Sequence, residues 1–431
     1  MPHYLLASVP IHGHVTPLLA ITADLAGRGD RVSFLTGGRF ADAVTATGAE
    51  FLPLPAAADY DDRLLSEREP GPGGIAGLRR DITETFLKPA RAQYDALHAR
   101  TVASSAPPDV VIADPTFMGA ALLAGHDREL RPPVVSAGVV PLTLSSSAVA
   151  PFGLAMAPLR GPLNRPRNAV LHALVRRVMF APVQRELDAM FRELHGRPAG
   201  AFLFDLQRTL DAVVQLSVPG FEYPRPDAGV PIRFAGPIIP ATGGGELPPW
   251  WDELDTGRPV VLVTQGTIAN TDPTELIRPT IDALADEDAL VVVTTGGRPV
   301  AELGALPGNV RAAQFLPYDL LFPRLAVFVT NGGYGGVQYA LAHGVPLVVA
   351  GATEDKPEVA ARVAWSGTGI DLRTGRPAPA ALRRAVRAVL GAPRYRQAAA
   401  RLAGEIEAAG GVDELVAVVA ALSSGERLPI G

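Results

Sequence analysis

The feature that most constrains this chain is an alternation that runs through all of it. Short apolar, β-branched runs recur, each followed by a stretch with apolar residues at helical spacing. In the first half the runs are "YLLASVP", "VSFLTG", "FLPLP", "VVIADP", "PVVSAGVV" and "VVQLSVP"; in the second they are "PVVLVTQG", "ALVVVTTG", "VRAAQFLP", "VFVTNG" and "PLVVAG". Strands that are apolar at nearly every position belong in sheets covered on both faces. The helices between them are the crossovers that parallel pairing requires. Two such series predict an α/β chain of two doubly wound parallel-sheet domains facing a deep cleft, and 431 residues are enough for both.

Between the two series lies "PGFEYPRPDAGVPIRFAGPIIPATGGGELPPW", Pro219 to Trp250, rich in Pro and Gly, with one short strand expected around "IRFAGPI". This divides the chain into an N-terminal domain over 1–220, a linker over 221–245 and a C-terminal domain over 246–431, whose last helix is a candidate to cross back to the first domain. From Pro166 to His195, Leu171, Leu174, Val175, Val178 and Met179 fall at helical spacing, and Pro182 is expected to split or kink that helix.

Composition removes several classes of function. There is no cysteine, which excludes disulfides, thiol catalysis and thiolate metal sites. The net charge is −5, without the basic footprint of a nucleic-acid partner. No apolar run reaches the ~18–20 residues needed to span a bilayer, and the chain enters a strand at once, so the expectation is a cytoplasmic protein without a membrane partner.

In open α/β sheets, ligands bind at the carboxyl ends of the strands. The loop after the first strand is "SVPIHGHVTP", Ser8 to Pro17. It lacks the G-x-G-x-x-G dinucleotide fingerprint, and two histidines at i, i+2 without further ligands make a poor zinc site. A histidine there can act as a general base near neutral pH; the alternative is that either histidine caps a helix beginning near Pro17. Asp114, in "VVIADP", ends another first-domain strand. A carboxylate on one imidazole nitrogen fixes the tautomer and stabilises the cation formed on proton uptake, while the plainer alternative is a helix N-cap.

The second half offers more loops of this kind. "TQGTIAN" places Gly266 and Thr267 at a turn, and "TNGGYGGVQYAL" runs glycines 332, 333, 335 and 336 into a helix. Such a turn lets backbone N–H groups approach an anion, aided by the positive helix end; tight packing of helix on strand is the competing explanation. No Gly-Lys-Ser/Thr follows, so it is not a Walker A loop. "VVAGATEDKPEV" sets Glu354, Asp355 and Lys356 in a row. Carboxylates suit sugar hydroxyls, although an E-D-K run is usually a solvated loop. Against that, Lys356 is one of only two lysines, with Lys88. Phe315, in "QFLPYDLLFPRL", stands where it could stack on a nucleobase, but alone it reads as core.

Taken together, these loops resemble the family-one glycosyltransferases of the two-domain GT-B type, in the bacterial branch that modifies macrolides and other natural products. "GHVTP" is similar to the family's G-H-V-N-P, "FAGPI" to its Tyr/Phe-x-G-P, "FLPYDLLF" to its W-V-P-Q followed by a hydrophobic helix, and "TNGGYGGVQYALAHGVPLVVAGATEDKPEVAARVAWSGTGIDL" to its donor signature. The resemblance implies His14 as the base, Asp114 as its partner and His12 as the neighbour that shapes the turn. It also implies a diphosphate held by Gly266, Thr267, Gly333, Tyr334, Gly335 and Gly336, a nucleobase on Phe315 and Leu316, and sugar hydroxyls on Asp355 and Lys356. Three positions depart from the family pattern: the donor-loop His is Asn331, the ribose-binding Glu is Tyr339, and the sugar-contacting Gln is Lys356.

The reaction implied is inverting transfer of a hexose from a UDP- or dTDP-sugar to a hydroxyl of a hydrophobic acceptor such as a macrolide, ansamycin, polyketide or flavonoid. No bound cofactor is needed beyond the nucleotide-sugar co-substrate. No metal is expected, because no D-x-D pair or ligand cluster is placed to hold one. The acceptor is expected in the first domain, near His12, Phe117, Met118 and "PLTLSSSAVAPFGLAMAPL", and the chain is expected to be a monomer or homodimer. Two alternatives share the architecture: a nucleotide-sugar epimerase, and a non-catalytic nucleotide-sugar-binding auxiliary protein. The first has no use for a His14–Asp114 pair on the acceptor side. The second is opposed by that pair, and mildly favoured by Asn331 and Tyr339.

Overall fold

The apolar runs form two separate sheets in the computed structural model, which describes every residue except 66–73, 240–245, 268–269, 427 and 431. The last part of the expected linker, 240–245, and Ile268 and Ala269 of "TQGTIAN" therefore lie outside the described residues. The first sheet comprises β1 (His3–Ala7), β2 (Arg31–Thr36), β3 (Glu50–Pro53), β4 (Val110–Ala113), β5 (Val134–Gly138), β6 (Ala212–Gln215) and β7 (Ile232–Phe234). The second comprises β8 (Val260–Thr264), β9 (Leu290–Thr294), β10 (Val310–Ala313), β11 (Leu325–Thr330), β12 (Leu347–Val349) and β13 (Gly369–Asp371). All pairings are parallel.

Strand order decides where a ligand can sit. The sheets run β3-β2-β1-β4-β5-β6-β7 and β10-β9-β8-β11-β12-β13. In each, the order reverses at one point: between β1 and β4, and between β8 and β11. There the crossovers leave to opposite faces and open a crevice at the strand ends. Both crevices are bounded by loops picked out in the sequence, those after β1, β4, β8 and β11.

The cores follow from the strand pattern. Alternate residues of one strand point to opposite faces, and in β1 Leu5 and Ala7 join one buried cluster while Tyr4 and Leu6 join another. The final helix, Val412–Ser423, adds Val412, Leu415, Val418 and Val419 to the cluster that holds Leu6 and Val214 of the first sheet. Burial of such side chains stabilises by about 1.5–3 kcal/mol each, which fastens the chain's end to the first domain.

Local differences from the sequence reading have simple causes. β7 is the short strand expected inside the linker, and it pairs with β6 as the edge strand of the first sheet. β13 has no counterpart among the expected strands, because three residues with one large apolar side chain leave almost no pattern. The helix over 166–195 divides into Asn164–Leu174, a π-helical turn Val175–Met179, and Ala181–His195, with Pro182 in the first turn of the last. Here the ring of proline costs no bond, since the first N–H groups of a helix have no partner anyway.

Candidate active site at the facing strand ends

The first helix, α1, spans His12–Gly27, so it starts five residues before Pro17 and not at it. His14 is thus in the first helical turn, directly above the end of β1. Its backbone N–H bonds the Ile11 carbonyl at 2.9 Å, which orients the imidazole toward the end of β4. There Asp114 stands on an Asx turn: its carboxylate accepts from the Thr116 N–H (2.8 Å) and hydroxyl (2.6 Å), and from the Val9 N–H (2.8 Å). The remaining capacity of the carboxylate meets His14 Nδ1 at 3.2 Å, with side-chain exposures of 12% for His14 and 0% for Asp114. The Thr116 hydroxyl is 3.3 Å from the same nitrogen. An acceptor-only carboxylate assigns the proton to Nδ1 and leaves the Nε2 lone pair as a proton acceptor.

Burial pushes the His14 imidazole toward lower pKa, but the Asp114 charge and hydrogen bond, then Asp355 and Glu354, outweigh it and hold the pKa above 6.5. The last two come from the other domain, so the loop after β12 faces His14 across the cleft. Burial likewise opposes ionisation of Asp114, and His14 together with the hydrogen bonds wins, keeping its pKa below 3.8. The pair is built for a negative Asp114 that supports a positive His14.

On the opposite side, Gly266 follows β8 with φ +75°. Thr267 beside it is exposed. The turn after β11 passes through Gly332 at φ +90° and leads by Gly333 into a helix over Tyr334–Ala342. A Cβ on Gly332 would meet Val349 Cγ1 at 2.8 Å, whereas one on Gly335 meets nothing within 4 Å. The first glycine is there for backbone conformation and packing; the second faces open space. Asn331 donates from Nδ2 to the Gln265 carbonyl at 2.6 Å, lacing the loop after β11 to the loop after β8. The neutral amide therefore holds the turns after β8 and β11 together. Glu354 sits at φ +57°, an uncommon conformation for a side chain other than glycine or asparagine, and it turns the chain so that Asp355 precedes the helix Lys356–Ser366. Burial raises the Asp355 pKa. Lys356 is buried, with Nζ on the Glu354 carboxylate and 3.4 Å from Thr353 Oγ1.

Phe315 is 65% exposed, so it is not the core residue that it reads as when taken alone. Its ring edge covers Gly297, where a Cβ would come within 3.1 Å of Cζ. Leu316 beside it is buried. Other candidates have contacts of their own. Phe117 and Met118, expected on the acceptor side, are buried in the first sheet's core with Leu122 and Phe191; they open the helix Met118–Leu123, whose face is wholly apolar. His12 is exposed, and its backbone N–H is capped by Asp62 at 2.8 Å. Tyr334 turns its side chain inward, bonding Gln215 at 3.0 Å, so only its backbone belongs to the glycine turn. Tyr339 packs against Phe322 and His343 and bonds Asp319. Thr116 is a site residue beyond those expected, although Asp-Pro-Thr at a strand end is an Asx-turn signal.

Comparison with known proteins fits this geometry. Residues 278–422 match the family described as erythromycin biosynthesis protein CIII-like, C-terminal domain. The chain is 43% identical over 425 residues to 4'-demethylrebeccamycin synthase of Lentzea aerocolonigenes, covering 97% of this chain and 99% of that protein. It belongs to the natural-product branch of the family-one glycosyltransferases. Among its relatives in that family is UDP-glycosyltransferase 2 of Phaeomoniella chlamydospora, 36% identical across 96% of both chains. The crystal structure of the glycosyltransferase of kitacinnamycin shares the GT-B architecture, with a TM-score of 0.72 and 27% identity over 98% of this glycosyltransferase and all of that chain.

Proposed function

We propose that this glycosyltransferase moves a hexose from a UDP- or dTDP-sugar to a hydroxyl of a hydrophobic natural product, with inversion at the anomeric carbon and without a metal. The observation that carries the reading is the buried His14–Asp114 pair at the reversal point of one sheet, facing the Glu354–Asp355 loop of the other. The acceptor hydroxyl gives its proton to His14 Nε2 as its oxygen attacks the anomeric carbon. Asp114 stabilises the imidazolium. The nucleoside diphosphate leaves from the opposite face, its charge met by backbone N–H groups of Gly333 to Gly336 and by the helix N-terminus. Asp355 accepts from the sugar hydroxyls, and Phe315 stacks on the base. Lys356 is the cation nearest the Glu354–Asp355 loop for the diphosphate and Asp355 the acceptor for the sugar, while domain closure limits attack by water.

The names of the relatives support this choice: one is a UDP-glycosyltransferase, and the other synthesises a 4'-demethylrebeccamycin. Neither supports an epimerase or a passive binder. Product stereochemistry tests the reading. With an α-linked UDP- or dTDP-glucose donor, proton NMR of the product should show a β-linkage, formed equally well with EDTA present. An α-linkage contradicts single displacement by an acceptor activated at His14, and loss of activity on chelation contradicts the metal-free mechanism.

A further inference from the structure

The mechanism leaves unused a chain of four buried charged groups between the domains. Arg362, on the helix that begins at Lys356, is fully buried; its Nε donates to Glu222 at 2.9 Å and its Nη1 to Glu358 at 2.9 Å. Arg225 stands 3.5 Å from Glu222. Two carboxylates and two guanidinium groups balance, so no net charge is buried.

Six further bonds of this chain go to one segment of the first domain, the stretch expected to line the acceptor side; others go to Tyr334 and to the Tyr223 carbonyl. At one end, Glu222 accepts from the Leu142 N–H (3.1 Å), while Arg362 and Arg225 donate to the Leu142 carbonyl (3.3 and 2.7 Å). At the other end, Glu358 Oε1 accepts from the Gly153 and Ala155 N–H groups, both at 2.8 Å. Ala155 has φ +50° and Gly153 φ +94°. For alanine that conformation costs free energy, and two hydrogen bonds to an ionised carboxylate are strong enough to hold it. Glu358 lies three residues beyond Asp355 in the same helical turn. One turn of backbone therefore carries both the sugar-side carboxylate and the group that grips the acceptor-side loop.

We propose that Glu358 is a positioning residue: it ties the loop over 142–155 to the helix whose start holds the donor sugar, so that acceptor and donor sites keep their register. This rests on the glycosyl-transfer reading. A shift of the reacting atoms by an ångström is costly to rate, and a loop pinned at both ends to the donor-side helix follows that helix when it moves.

Two variants of the full chain test this, Glu358→Ala and Glu358→Gln, with thermal melts to confirm folding. Glu358→Gln keeps a carbonyl oxygen for the two amides and loses the charge. Hydrogen exchange, followed without any ligand, should quicken roughly tenfold or more for peptides covering 150–156 in the alanine variant. It should quicken less in the glutamine variant and stay unchanged in β4 and β8. With UDP-glucose and the first acceptor that the wild-type enzyme glycosylates, acceptor KM should rise by about tenfold in Glu358→Ala while donor KM stays within about twofold. Unchanged exchange overturns the tie. Faster exchange with unchanged acceptor KM, or equal losses for donor and acceptor, overturns the positioning role. A wild-type enzyme that transfers to no acceptor overturns the functional reading and the positioning role together; the exchange data then still decide the tie.

Discussion

Replacing Asp114 by Asn probes the base pair without removing the base. The carboxylate is buried, 3.2 Å from His14 Nδ1, and is the strongest influence lifting the imidazole above its ordinary pKa. With asparagine, burial is opposed only by the more distant Asp355 and Glu354, and the His14 pKa falls. A neutral amide also supports the imidazolium poorly and ceases to dictate the tautomer. General bases contribute typically ~10²–10⁴-fold, so kcat should drop by roughly 10²–10³-fold, or about 3–4 kcal/mol of barrier. The pH profile gives the sharper readout. His14 works as a base only when neutral, so wild-type activity is lost as pH falls through its pKa, above 6.5. In Asp114→Asn that acid limb moves to lower pH: a slower enzyme that tolerates acid better. The Asn amide also faces the Val9 and Thr116 donors, at a cost of about 1–3 kcal/mol of stability, so kcat/KM is compared well below the melting temperature. An acid limb that does not move, or a kcat within about twofold of wild type, refutes the assignment.

Three further outcomes follow from the donor side. Phe315→Ala should weaken nucleotide binding roughly tenfold by calorimetry, because stacking on one base is worth about 1–3 kcal/mol; its exposure means that the melting temperature should hardly change. Gly335→Ala should raise the melting temperature slightly, since alanine is preferred in a helix by about 0.5–1 kcal/mol, yet weaken the donor because the methyl enters the open space there. Unchanged donor affinity would remove that turn from the diphosphate site. Lys356→Ala should weaken donor binding if the ammonium, paired with Glu354, substitutes for the charge that the family's donor-loop His can carry; unchanged affinity discards that idea.

How much could be read in advance depended on whether a signal was local. The strands declared themselves because burial on both faces demands continuous apolar runs, and strand-end glycines and acids marked the loops that the sheet order then brought to the two reversal points. Edge strands such as β13 escaped because short, half-covered segments need little apolar sequence. Phe315 taken alone reads as core, since exposure depends on neighbours that a sequence does not name; only the family resemblance puts it beside a nucleobase. The Glu222–Arg362–Glu358 chain was invisible for the same reason. Its members are separated by as many as 140 residues, and each alone looks like an ordinary surface charge. Phe117 and Met118 illustrate the converse: proximity in sequence to Asp114 did not carry their side chains into the cleft.

The central claim is that His14 activates an acceptor for sugar transfer. Mass spectrometry of the wild-type protein with UDP-glucose, and separately dTDP-glucose, against a panel of aromatic and macrocyclic alcohols tests it most directly, with His14→Ala in parallel. The account predicts a hexose adduct on at least one acceptor that disappears in the variant while nucleotide binding by calorimetry persists. A variant that forms the adduct as fast as the wild-type enzyme contradicts it.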